Sequence, residues 1–111
     1  MMQITHTQGF EHFPLKFRLE QNYPNPSLGI TTINYCLPNR TKVRIVLTDC
    51  NGKIIYKLVA EEQEAGMYSV ELNTVNLPTG TYCYQLIAGN HYETKKMVVI
   101  SEKNTQSIII S

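Results

Sequence analysis

At 111 residues the chain suits one domain, and a fold of roughly this size buries about two-thirds of the surface its unfolded chain exposes, so one modest core needs no staple. Hydrophobic residues make up 42% and charged residues 17%, which excludes an intrinsically disordered chain, and a net charge of +1 supplies no long-range field to gather nucleic acid or an anionic membrane. No apolar run approaches the roughly 20 residues of a membrane-crossing helix, which says nothing of a β-barrel.

Residues 1–16 show no clear periodicity and read as a poorly structured lead-in or linker. The segment carries His6, Glu11, His12 and Pro14 and has no continuous apolar stretch, so no signal peptide of its own is expected; were the domain secreted, it would be the tail of a longer precursor, a fragment or a truncated reading frame.

From there onward alternation with period two dominates, which is the strand signal. A first short strand is expected over 17–21. In 31–37, Ile33, Tyr35 and Leu37 share one face against Thr32, Asn34 and Cys36. In 42–48, Val43, Ile45 and Leu47 oppose Arg44, Val46 and Thr48. The strand at 53–59 offers Ile55 and Leu58 with looser alternation, and the helix-favouring run Ala60 to Glu64 after it is short, ends near Gly66 and reads as a polar connection. In 67–73, Tyr68, Val70 and Leu72 align; in 81–88, Tyr82, Tyr84 and Leu86; in 91–100, Met97 and Val99 follow a polar first half. Asp49-Cys50-Asn51-Gly52 and Gly89-Asn90 have hairpin-turn chemistry. The tail 102–111 is polar and then Ile-rich.

About seven short strands with turn signals between them predict an all-β chain, an immunoglobulin-like β-sandwich, with a small barrel as the other architecture. Tyr82, following Pro78-Thr79-Gly80, is placed as a tyrosine corner, and Tyr35, Tyr68 and Tyr84 as core residues with hydroxyls at the rim. Cys36 and Cys83 fall on the faces opposite these tyrosines and Cys50 in a loop, so the three cysteines are expected to stay unpaired. No CxxC spacing is present, which argues against zinc.

Little in the chain supports catalysis. His6, His12 and His91 are its only imidazoles, none beside a candidate nucleophile on a rigid element, and no serine stands in a nucleophile-elbow context. Asp49 with Asn51 offers too few oxygens for calcium. The expectation is no enzyme, no cofactor, no metal, no nucleic acid and no small-molecule substrate.

The ordered motifs carry a resemblance. Leu19-Glu20-Gln21-Asn22-Tyr23-Pro24-Asn25-Pro26 is followed by Ile33-Asn34-Tyr35-Cys36-Leu37-Pro38, Val43-Arg44-Ile45-Val46-Leu47, Asp49-Cys50-Asn51-Gly52, Ile55-Tyr56-Lys57-Leu58, Ala65-Gly66, Leu77-Pro78-Thr79-Gly80-Thr81-Tyr82, Gly89 and Lys95-Lys96-Met97. In this order and spacing the chain resembles the type IX (Por) C-terminal sorting domains of secreted Bacteroidetes-type proteins, over 17–101. Leucine at position 72 stands where the family usually carries tryptophan, and members typically end just after the last strand.

The resemblance implies a domain that is recognised by the type IX secretion translocon and surface-attachment proteins and that carries an upstream cargo domain across the outer membrane, to be secreted or held at the cell surface. Such domains are typically cleaved off as the cargo is joined to an anionic surface lipopolysaccharide or released. The residues it offers for partner recognition are Asn22, Tyr23, Pro24, Asn25, Pro26, Gly80, Lys95 and Lys96. The residues themselves give a plain structural role beside it: two prolines stiffen the approach to a strand, and an edge lysine deters strand addition. A structural or adhesive immunoglobulin-like accessory module of a secreted multidomain protein is the alternative, and a subunit of an appendage or hook cap a further one.

Overall fold

The computed structural model describes residues 2–7 and 15–101. Among them the chain forms the strands β1 (Met2–Thr7), β2 (Arg18–Leu19), β3 (Ile30–Leu37), β4 (Thr41–Thr48), β5 (Ile54–Gln63), β6 (Gly66–Asn73), β7 (Gly80–Ala88) and β8 (His91–Val99), with no helix. They make two antiparallel sheets, β1-β6-β3-β2 and β5-β4-β7-β8. The neighbours β2–β3, β4–β5 and β7–β8 stay within a sheet, while the connections β3–β4, β5–β6 and β6–β7 cross between sheets, the Greek-key pattern of an immunoglobulin-like sandwich.

The alternating side chains become the interior of the sandwich. Ile33, Tyr35 and Leu37 from β3 and Val70 and Leu72 from β6 meet Ile45 and Leu47 from β4, Tyr84 and Leu86 from β7, and Met97 and Val99 from β8, all buried in one cluster. Each such side chain withdrawn from water contributes about 1.5–3 kcal/mol, which is why the faces are specified so strictly. Leu72, where the resemblance leads one to expect tryptophan, is buried.

Two turns depend on glycine. Asp49 Oδ1 accepts the backbone N–H groups of Asn51 and Lys53, each at 2.9 Å, and Gly52 closes the hairpin at φ +85°. Gly89 turns β7 into β8 at φ +61°, and a Cβ there would come within 3.2 Å of Thr41 Oγ1. Tyr82 makes the expected corner: its hydroxyl donates to the Pro78 carbonyl at 2.6 Å.

Four features differ from the sequence reading. Residues 2–7, read there as part of an unstructured lead-in, pair antiparallel with β6 from Met2–Leu72 to Thr7–Met67, because the outer edge of β6 offers an open ladder that needs only extended backbone. Residues 60–63, read as a connection, continue β5 against β4, with Thr41 opposite Gln63 and Arg44 opposite Ala60; ladder hydrogen bonds override a helix preference worth only tenths of a kcal/mol per residue. The loose alternation of β5 is two register shifts: Ile45 faces Val59 and Val46 faces Lys57, so Leu58 is an extra residue, and a second shift follows Leu47. These bulges turn both Leu58 and Val59 into the core. Finally, Cys36 lies off the core face as expected, yet it is buried rather than exposed; Cys83 is half-buried, Cys50 exposed, and all three are free thiols. The tail 102–111, His12 and the rest of the lead-in lie outside the described residues.

Face assignment sets a stability contrast. Leu47→Ala, at a fully buried position, is expected to cost about 2–5 kcal/mol, and Thr48→Ala, half-buried beyond the core, less than about 0.5 kcal/mol, in urea denaturation. Equal losses would contradict the register. Thiol reactivity with an aromatic disulfide reagent should follow exposure: Cys50 first, Cys83 later, and Cys36 only on unfolding.

Candidate docking surface

The strand β8 ends one edge of its sheet and would present unpaired backbone groups to solvent. The segment Gln21 to Ser27 occupies that edge. Gln21 Nε2 donates to the Lys96 carbonyl at 2.6 Å, the Val98 N–H donates to Asn25 Oδ1 at 3.0 Å, the Ser27 N–H donates to the Val98 carbonyl at 2.7 Å, and the Ile100 N–H donates to the Ser27 carbonyl at 2.9 Å. On its other side the segment pairs with β3, where Tyr23 and Thr32 exchange backbone hydrogen bonds of 2.9 Å in both directions. It therefore stitches β3 of one sheet to the edge strand β8 of the other. Both Tyr23-Pro24 and Asn25-Pro26 peptides are cis.

Asn22 and Tyr84 form the anchor. Tyr84 is fully buried; its hydroxyl donates to the Glu20 carbonyl and accepts the Asn22 N–H, each at 2.7 Å, so it is not at the rim as the sequence reading had it. Asn22 Nδ2 donates to the Pro24 carbonyl at 3.1 Å and to Thr31 Oγ1 at 2.9 Å, and Thr31 Oγ1 donates to the same carbonyl at 2.8 Å. Asn22 Oδ1 accepts from Gln21 Nε2 at 2.8 Å. Farther along, Ser27 Oγ and Thr74 Oγ1 share a hydrogen bond of 2.9 Å, and Thr74 Oγ1 donates to the Gly29 carbonyl at 2.6 Å. Burial without a partner would cost each of these groups about 1–3 kcal/mol, so the network is completed rather than left partial.

The eight residues named from sequence are thus divided by the fold. Asn22 is buried and committed to internal bonds. Tyr23 is 80% exposed although its backbone is fixed, and Pro24, Asn25 and Pro26 are exposed beside it. Gly80 opens β7; its φ is not in the left-handed region and a Cβ would meet nothing closer than 4.0 Å, so the local geometry does not demand glycine. Lys95 shares the inward-facing side of β8 with Met97, is half-buried, and its Nζ lies 3.2 Å from Glu93 Oε2. Lys96 is exposed on the outer face. Since 21–27 already covers the C-terminal half of the β8 edge, these lysines are not what protects it there.

Sequence reasoning missed an apolar rim. Leu28, Ile30, Val75 and Ile100 are exposed, and the Thr74 N–H to Gly29 carbonyl and Ile100 N–H to Ser27 carbonyl bonds bring them to the same end of the sandwich as Pro26. The Gly in Leu28-Gly29-Ile30 was a turn signal; nothing in the pattern told that the flanking side chains stay in water.

Burial pushes the Tyr84 phenol up to about 12, and the charge of Glu93 adds to this, while the Asn22 N–H acts the other way. A phenol with a folded pKa above its unfolded value near 10 keeps its proton longer in the folded state; its contribution is whole below pH 10 and is lost as pH rises through about 12. Melting temperature should therefore fall between those values, and less steeply in Tyr84→Phe; parallel curves would contradict the assignment. Asn22→Ala should cost about 1–3 kcal/mol, against under about 1 kcal/mol for the exposed Asn25→Ala, by chemical denaturation.

Comparison with known proteins gives one family: residues 21–100 match the family described as "Secretion system C-terminal sorting domain". No curated protein matches the chain. Among solved structures it is similar to the Ig1 domain of mouse SynCAM 2, at 12% identity and a TM-score of 0.38 over 66% of this chain and 82% of that one. It is also similar to part of the endo-beta-1,4-mannanase from Thermotoga petrophila, at 12% identity and a TM-score of 0.46 over 78% of this chain and 20% of that one. Neither likeness bears on function.

Proposed function

The chain belongs to the family of secretion system C-terminal sorting domains, the type IX sorting tails, and we propose that its work is to be recognised: the translocon reads a docking surface on 17–101 and carries an upstream cargo domain across the outer membrane. The cargo is then released or held at the surface by attachment proteins. The mechanism is display of a rigid epitope and no reaction. The observation that supports it is the contrast within one segment, where Asn22 is buried and fully bonded while Tyr23 to Pro26 stand exposed. A segment already held in one conformation loses little further freedom on docking, so more of each contact becomes affinity. Tyr23 supplies a large ring with a polar tip, the side-chain type enriched at interfaces, and Lys96 supplies a charge nearby, its carbonyl bonded to Gln21.

The test is export. Fused behind a periplasmically exported reporter in a host with a working type IX system, the whole chain should bring the reporter to the surface or medium. Tyr23→Ala and Lys96→Gln should each keep the melting temperature and reduce export, and together strand the reporter in the periplasm. Lys95→Gln, which breaks only the ion pair with Glu93, should have the smaller effect. Normal export by the folded Tyr23→Ala/Lys96→Gln protein would contradict this docking surface. Failure of the parent fusion in a host exporting its own cargo would contradict the sorting function.

A further inference from the structure

The apolar rim at the Pro26 end of the sandwich takes no part in the docking surface proposed above. Leu28, Ile30, Val75 and Ile100 are each 44–55% exposed there. The stretches that bring them together, 26–30, 73–76 and 98–101, contain no Asp, Glu, Lys or Arg. Aliphatic side chains half in water with no charge among them form the kind of patch that attracts other apolar surface.

The chain itself leaves the sandwich at this rim. The Ser101 N–H donates to Thr79 Oγ1 at 2.7 Å, so the last described residue lies beside the β6–β7 loop that carries Val75. No ladder is open there for the chain to continue into. Val99 pairs with Gly80 of β7 on one side of β8, and Ser27 bonds Val98 and Ile100 on the other. Beyond Ser101 the sequence runs Glu102-Lys103-Asn104-Thr105-Gln106-Ser107 and then Ile108-Ile109-Ile110. A polar spacer is followed by an uncharged aliphatic triplet without alternation, a pattern that suits burial by side chains more than pairing on one face of a sheet.

We propose that Ile108 to Ile110 fold back over this rim and cap it. Reach allows it: the spacer 102–107 spans up to about 20 Å when extended, and the two layers of a sandwich lie about 10 Å apart. Tethering favours it: a short flexible link holds the triplet at an effective concentration on the order of millimolar, above that of a free partner at roughly micromolar. The chemistry matches on both sides, aliphatic against aliphatic, while the charges of Glu102 and Lys103 belong to the spacer and stay in water. The cap shields the rim from other molecules. It involves neither Tyr23 nor Lys96, so its failure would leave the sorting function untouched.

The experiment is methyl NMR of the full chain with a soluble nitroxide, which broadens the methyl signals that solvent reaches. The Leu28, Ile30 and Val75 methyls are expected to broaden several-fold less in the parent than in Ile108→Ser/Ile109→Ser/Ile110→Ser, and equally so after about tenfold dilution. Reciprocally, Leu28→Ser/Val75→Ser, at two exposed positions, should expose the methyls of residues 108–110 while those of Ile45 and Leu86 in the core stay protected. Equal broadening of the rim in the parent and the triple Ser protein overturns the inference. So does continued protection of residues 108–110 in the Leu28→Ser/Val75→Ser protein, or rim protection that fades on dilution, which would assign the rim to a second copy of the chain.

Discussion

A buried hydroxyl is the point on which the rest of the structure depends. Tyr84 sits in the middle of β7 with its ring in the core, and its oxygen must find partners there because a buried polar group without them costs about 1–3 kcal/mol. It finds them in the backbone on either side of Gln21, at Glu20 and Asn22. One sheet thereby holds the chain just after β2, at the edge of the other sheet. Asn22 passes the constraint on through Thr31 to Pro24, and by Ser27 the segment has become the partner of β8. Segment 21–27 is therefore part of the sandwich and does not simply lead into it.

The two sides of the sandwich are treated differently as a result. On the β2–β8 side, the Leu19 N–H donates to Glu93 Oε1 at 3.3 Å, Phe17 stacks on His91 with ring centroids 4.8 Å apart, and the 21–27 segment covers the rest. On the other side β5 remains an edge strand, and it is blunted by its two bulges and by exposed Lys57, Glu61 and Glu62. Tyr35 closes the core near that end: its ring stacks on Tyr68 at 5.2 Å and its hydroxyl donates to Gln63 at 2.7 Å, which ties the end of β5 to the other sheet; burial pushes the Tyr35 phenol up, and the Gln63 bond acts the other way.

Much of this was legible in the sequence because period-two burial leaves its mark on every residue of a strand. The faces of β3, β4, β6, β7 and β8, the Asp49–Gly52 hairpin and the Tyr82 corner could all be read from local pattern. What could not be read depended on partners distant in sequence. The strand β1 exists because β6 has a free edge, and residues 60–63 are strand because β4 is long enough to pair with them. Asn22 looked like an exposed recognition residue because the Asn-Tyr-Pro-Asn-Pro run reads as polar and turn-like; only the Tyr84 hydroxyl, 62 positions away, makes it an interior one. Cys36 shows the opposite case, with the face assigned correctly and the cover over it invisible to alternation.

The proposed docking surface requires that the exposed Tyr23 to Pro26 be held in one shape on a bonded footing. Native-state hydrogen exchange tests this most directly. The N–H groups of Asn22, Tyr23, Ser27 and Val98 are each bonded across the junction, to Tyr84, Thr32, Val98 and Asn25 in turn. The expected result is that the first three exchange as slowly as core amides of β3 and β7, opening only with global unfolding, and that Tyr84→Phe speeds them while leaving β4 protected. Exchange at the rate of a free loop, with the sandwich still folded, would contradict the claim that segment 21–27 is part of the fold.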